Sequence, residues 1–166
     1  MTGPRGRALA RGSEGAVGEG TMRILGTLAA LVLVAAARPA HGRDDHLMLP
    51  IADALASPDA GKLDPGIKLY FGKASPAWIA RSLGTWTTNK KANAFGRDDK
   101  QACERAFVSA MIQLQQRART EGGDAVIGIT SYYKKIVTVS ETQYMCGAGA
   151  IMAGVAFRAQ VVKLQQ

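Results

Sequence analysis

Residues 98 to 133 read DDKQACERAFVSAMIQLQQRARTEGGDAVIGITSYY, and this stretch decides the fold. Asp98 can cap a helix, and Gln101 three residues later completes the outline of a capping box. Ala102, Cys103, Ala106, Phe107, Ala110, Leu114 and Ala118 recur at steps of three and four. They lie along one helical stripe, which is the mark of a helix with one buried side. Gln113, Gln115, Gln116, Arg117 and Arg119 fall mostly off the stripe and are expected to face water. Gly122-Gly123 ends the helix as a C-terminal glycine should. Asp124 to Tyr133 then changes period and reads as a strand with Val126 and Ile127 at its centre. A helix running directly into a strand through two glycines sets one helix against one sheet.

Upstream of the helix, Gly66 to Gly72 (GIKLYFG) alternates Ile67, Leu69 and Phe71 with Lys68 and Tyr70, a strand between two glycines. Trp78 to Phe95 is also β-leaning, with Gly84 as a candidate bulge and Asn89-Lys90-Lys91 as a turn or exposed tip. Downstream, Lys134 to Ser140 either extends the strand after the helix or starts a neighbour. A reversal at Ser140 to Thr142 leads into a last strand, Gln143 to Leu164. Its first half is rich in small residues, Gly147, Ala148, Gly149, Ala150, Ala153 and Gly154, which let the helix pack closely or the strand bend. The expected domain is therefore α+β, residues 66–166, with one helix on an antiparallel sheet in the order β-β-α-β-β. Residues 43–65, with Pro50, Pro58, Pro65 and Gly61, read as an extended arm carrying at most one helical turn at Ile51 to Ala56.

The N-terminal segment carries an address. Residues 22–42, MRILGTLAALVLVAAARPAHG, have a basic start, an apolar run from Ile24 to Ala37 and small residues around His41. This is the layout of a secretory signal peptide, with cleavage expected after Gly42. The run is 14 residues, whereas a spanning helix needs about 18 or more. The processed protein is therefore expected in the periplasm and not across the membrane. Met22 reads as the start, with residues 1–21 an upstream extension; a long basic leader is the alternative. Removing residues 1–42 takes the 21 basic and 13 acidic residues to 16 and 11, a balance of +5 in place of +8. Export argues against nucleic acid as a partner. The charge suits an anionic envelope polymer or lipid head groups, and an envelope protein is a further candidate partner.

Cys103 and Cys146 are the only two cysteines. In an oxidising compartment an even pair reads first as a disulfide. Its loop of about 44 residues would contribute roughly 4 kcal/mol. A thiol-redox or heavy-metal-responsive role for the same two residues is the alternative, although they form no Cys-x-x-Cys motif.

Other chemistry finds little footing. Ala56 to Leu63 misses a phosphate-binding loop at its first Gly and at the Ser or Thr after Lys62. Gly66 to Lys73 is spaced one residue too long for the same motif. Gly147-Ala148-Gly149 lacks the third glycine of a dinucleotide fingerprint, because Met152 stands there. His46, in the arm, is the only histidine after the leader, a poor start for a zinc set. Asp44-Asp45 and Asp98-Asp99 read as arm and helix-start residues before they read as acid/base pairs. Tyr70, Trp78, Trp86, Tyr132 and Tyr133 could line a binding face, though most are expected in the core or on the sheet. The expectation is a non-catalytic domain with no cofactor and no metal, in which homo-oligomers are compatible with the sequence.

Gly122-Gly123-Asp124-Ala125-Val126-Ile127-Gly128, preceded by a helix bearing Cys103 and followed by Cys146-Gly147-Ala148-Gly149-Ala150, resembles the RcsF/YbjQ-like envelope domains. The likeness spans Cys103 to Val162. It implies a helix packed on a sheet, a disulfide tying the helix at Cys103 to the final strand at Cys146, and a stress-sensor-like envelope role. No cysteine follows the apolar run, so the lipid anchor and the second bridge of the sensor lipoproteins are missing. Proteins of this kind are sometimes named as an excinuclease ATPase subunit. The missing phosphate-binding loop and the export signal argue against that name.

Overall fold

A computed structural model describes residues 42–165. The stretch expected to be a signal peptide, up to His41, and the expected upstream extension therefore lie outside the described residues. The elements run β1 (Asp45–Pro50), α1 (Ile51–Ala56), a 3₁₀ turn (Pro58–Lys62), β2 (Lys68–Phe71), β3 (Ile79–Asn93), α2 (Asp99–Glu121), β4 (Ala125–Ser131), a second 3₁₀ turn (Tyr133–Lys135), β5 (Gln143–Ala148) and β6 (Met152–Leu164). The architecture is mixed α+β, with one long helix covering one face of a curled six-stranded sheet.

Helix α2 follows its sequence closely. The Asp98 side chain accepts a hydrogen bond from the Gln101 amide, and Gly122 closes the helix at φ 73°, a conformation costly for any residue with a Cβ. Its inner stripe buries Ala102, Cys103, Ala106, Phe107, Ala110, Met111, Leu114 and Ala118. Phe107 is the centre of the core. Its ring lies 4.6 Å from Tyr144, 5.5 Å from Phe157 and 5.9 Å from Phe71. From β6, Val155, Phe157, Ala159 and Val161 point to this side. The helix-side positions Cys146, Ala153 and Ala159 of β5 and β6 are small, which lets the helix sit close above them.

One helix residue departs from expectation. Gln115 is buried rather than solvated. Its amide accepts from Asp64 N at 2.9 Å and donates to Asp64 O at 2.8 Å and Ile67 O at 2.9 Å. Three bonds to the backbone ahead of β2 offset the cost of burying the amide. Periodicity cannot show this, because the loop it holds is remote in sequence.

The sheet differs from the expected order in four places. Its hydrogen-bonded path is β1-β5-β6-β4-β2, and β3 pairs with β6 as well. First, the sheet is not wholly antiparallel. β2 runs parallel to β4, with Lys68 beside Ala125 and Phe71 beside Ile129. Strand alternation carries no direction, so only the crossover through β3 and α2 decides it. Second, the stretch expected to be an arm supplies a strand. β1 pairs antiparallel with β5 from Asp45 beside Ala148 to Pro50 beside Gln143. His46 thus stands in a sheet and not in an arm. The prolines do not prevent this, because Pro50 ends an edge strand, where a missing N–H is tolerated. The helical turn at Ile51–Ala56 is present. Third, the long last strand is two. It breaks at residues 149–151, where Gly149 N bonds Met152 O at 2.9 Å. Fourth, Asn89-Lys90-Lys91 is mid-strand, paired with Ala156, Val155 and Gly154. Lysines suit β3, whose other edge has no partner strand among the described residues. The bulge expected at Gly84 is present, at φ 137° with a register shift beside it.

Candidate functional site

The helix covers one face of the sheet; the other face holds the site. Antiparallel partners project to the same side, so residues between the core positions of β6 define the open face. These are Gly154, Ala156 and Arg158, opposite Lys91, Asn89 and Thr87 of β3. On the other flank Gly147 of β5 pairs with Gly154. Small residues line the floor of this face: Gly154 and Ala156 lie between the strands, while Gly147 seats the Tyr133 ring and Gly149 lies against the Arg43 carbonyl. Above it lies an open groove of about 790 Å³.

The walls come from two segments. The turn after β4 contributes Tyr132, Tyr133, Lys134 and Lys135; Arg43 and Asp44, just before β1, contribute the rest. The turn is bent sharply. Lys134 and Lys135 take φ 50° and 67°, consecutive left-handed conformations without glycine. Each costs on the order of 1 kcal/mol or more. Surrounding bonds hold them there: Tyr132 N to Ala156 O at 2.8 Å, Ile136 N to Tyr133 O at 2.9 Å, and the Lys134 ammonium to the Asp44 carboxylate. The Tyr133 ring rests directly on Gly147. A Cβ at that position would stand 1.9 Å from the Tyr133 hydroxyl oxygen, so glycine is what admits the ring.

The electrostatics of the groove divide into compensated and uncompensated cations. The hydrogen bond from Lys134 holds the Asp44 carboxyl below its ordinary range and raises the lysine in turn. His46 Nε2 also stands 3.6 Å from Asp44. Partial burial, and then the charge of Asp44, push the Tyr133 phenol up, so it stays protonated and able to donate. Arg43 bridges Asp45, at 2.7 Å, and Asp99 at the start of α2; these partners raise its pKa further. Lys91 and Lys135 pair with no carboxylate among the described residues, nor does Arg158 one step beyond the floor. The open face therefore keeps a positive excess next to two phenol rings and the amide of Asn89.

The other candidates fall elsewhere. The sulfurs of Cys103 and Cys146 stand at disulfide distance, 2.06 Å, with Cα atoms 6.0 Å apart. Both residues are fully buried beneath the helix, on the side of the sheet away from the groove. Of the aromatic set, Tyr132 and Tyr133 reach the groove. Trp86 packs on the helix side, with the Arg117 guanidinium 5.8 Å from its ring, and Trp78 is exposed beyond the start of β3. The acid pairs serve structural partners: Asp98 caps α2, Asp44 binds Lys134, and Asp45 and Asp99 share Arg43, which ties the start of β1 to the start of α2. Gly66 lies in the turn before β2, where its amide bonds Asp64 Oδ1 at 2.8 Å.

Arg43, Lys91, Lys134 and Lys135 did not stand out in the sequence as a group. The signals that could have pointed to them are the small-residue run of Gly147 to Gly154 and the Tyr-Tyr-Lys-Lys run at 132–135. Among the described residues, no three His, Cys, Asp or Glu side chains gather as a metal site, and no helix is long and apolar enough to cross a membrane. No family model, curated protein or solved structure matches the chain, so the groove has to be read from its own chemistry.

Proposed function

We propose that this chain is an exported, periplasmic binding module associated with the cell envelope, and that it takes its partner in the groove on the open sheet face. In this reading the domain is non-catalytic and its role is stress-sensor-like, in keeping with its resemblance to the RcsF/YbjQ-like domains. The observation that carries the reading is the groove itself. A strained turn walls it, held in place by surrounding bonds, and Gly147 is what admits the Tyr133 ring of that wall. A surface with no task would more readily fill the groove's floor with ordinary strand residues. The layout of residues 22–42 supports the compartment. Burial of Cys103 and Cys146 favours a structural pair over a thiol that must be reached by a partner.

Photo-crosslinking in living cells tests this. A photoreactive side chain at Asn89, in the groove, should give a discrete adduct in the periplasmic fraction. The same group at Ile112, on the helix, should not. Equal adducts at both positions, or a protein retained unprocessed in the cytoplasm, would overturn the proposal.

A further inference from the structure

We infer that the groove binds a linear acidic glycan, a polymer whose sugars carry carboxylate or phosphate groups; this rests on the proposal that the groove is the ligand site. Of two candidate partners, an envelope protein and an anionic polymer, the groove's layout favours the second. Lys91 stands opposite Gly154, and Arg158 lies four residues further along β6 on the same face. At the rise of a strand their positions are about 13 Å apart. Between them the floor is Gly154 and Ala156, with no side chain large enough to interrupt a chain lying along it. Lys135 lines the wall formed by the turn after β4. Separated cations over a smooth floor suit an extended ligand with spaced charges, whereas one small anion would draw them to a single point.

The remaining lining suits sugar rings. Tyr132 and Tyr133 offer aromatic surface and hydroxyls, and Thr87 and Asn89 offer further donors and acceptors. A pyranose presents an apolar face of C–H groups and a rim of hydroxyls, and this mixture of rings, amides and hydroxyls can engage both. The Tyr133 phenol donates to Asp44 Oδ1 at 3.4 Å, so its oxygen keeps acceptor capacity for a sugar hydroxyl. Asp44 is neutralised by Lys134, so it does not repel an anion strongly. An acidic protein segment would use the cations, but its larger side chains would find no pocket in the shallow floor of Gly154 and Ala156.

Nuclear magnetic resonance titration of the ¹⁵N-labelled exported protein tests the inference with three probes: a galacturonate hexasaccharide, its methyl ester and inorganic phosphate. The free acid should shift the amides of Asn89, Gly147, Gly154 and Ala156. The methyl ester, which keeps the rings and loses the charge, should bind at least tenfold more weakly. Phosphate alone should not reproduce the pattern. Lys91→Gln, Lys135→Gln and Arg158→Gln should each weaken the free acid about fivefold, with the loss growing smaller at high salt. Gly147→Ala, which displaces the Tyr133 ring but keeps every charge, should weaken it without altering the salt dependence. Equal binding of acid and ester, a phosphate pattern matching the acid, shifts on the helix side, or no effect of the three charge variants would each overturn the inference. An envelope protein crosslinked at Asn89 with no response to the acid would overturn the glycan and leave the binding module standing. Failure of both experiments would overturn the two together.

Discussion

Replacing Cys103 and Cys146 together by Ala should remove about 4 kcal/mol of stability. The two residues are 43 positions apart, and the chain between them contains most of α2, all of β4 and the first half of β5. Closing a loop of that size lowers unfolded-state entropy by an amount equivalent to roughly 4 kcal/mol at 25 °C. Alanine leaves small voids where the sulfurs packed, which adds to the loss, while residual structure in the unfolded chain subtracts from it. Against a total of about 5–15 kcal/mol for an ordinary domain, the change is large. For a folded part of about 124 residues it corresponds to roughly 15 °C in melting temperature. Urea unfolding of oxidised wild type and of the double variant, monitored by circular dichroism, measures the difference directly. Because both residues are fully buried, a thiol reductant should act on the folded wild type no faster than the domain opens. A loss below about 1 kcal/mol, or fast reduction without unfolding, would refute the reasoning and revive the redox role for the pair.

Three further perturbations probe the core and the surface. Tyr144 is fully buried, its hydroxyl has no hydrogen-bond partner among the described residues, and burial pushes its phenol far up. Tyr144→Phe should therefore hold or raise stability, by up to about 1 kcal/mol in urea unfolding; a clear loss would mean that the hydroxyl has a partner. Phe107→Ala, which empties the centre of the aromatic cluster, should cost about 3–5 kcal/mol by the same measurement. Asp124 accepts from Lys163 at 2.9 Å and from the Leu164 amide at 3.2 Å, and these bonds lower its pKa. A lowered carboxyl favours the fold above its ordinary value near 3.8 and loses that contribution as pH falls through the lower folded value. Asp124→Asn should flatten the acid side of a stability–pH curve below about pH 4; an unchanged acid limb would sink the assignment.

Much of the helix could be read without a structure because its determinants are local. The Asp98 cap, the stripe through Phe107 and the Gly122 stop all act within a few residues. Strand identity was legible for the same reason at β2, at β4 and over most of β3. Pairing was not. Alternation places a residue on a face but says nothing about the neighbour or its direction, so the parallel β2–β4 pair could not be seen. The edge strand Asp45–Pro50 was hidden by its terminal Pro50, by Asp45 and by the prolines that follow, which suit an arm as well as an edge. Gln115 looked like a surface residue because its three partners lie about fifty positions away. The groove was invisible for a related reason: Lys91, Lys135 and Gly147 come from three segments that meet only after β3, β5 and β6 have paired.

By itself, then, the sequence determined a single capped amphipathic helix, its change into strand at two glycines, a set of strand-forming segments and two cysteines able to join. Each follows from backbone preference or side-chain period over short distances. Tertiary structure alone decided the strand order, the parallel pair and the placing of Cys103 against Cys146. It also decided that the small residues of β5 and β6 serve two faces. Cys146, Ala153 and Ala159 face the helix; on the other side Gly154 and Ala156 form a shallow floor near Lys91 and Lys135, and Gly147 seats the Tyr133 ring. Backbone alternation fixes which side of the sheet each strand position serves, but only the paired strands and the helix packed on them decide which of those sides becomes core.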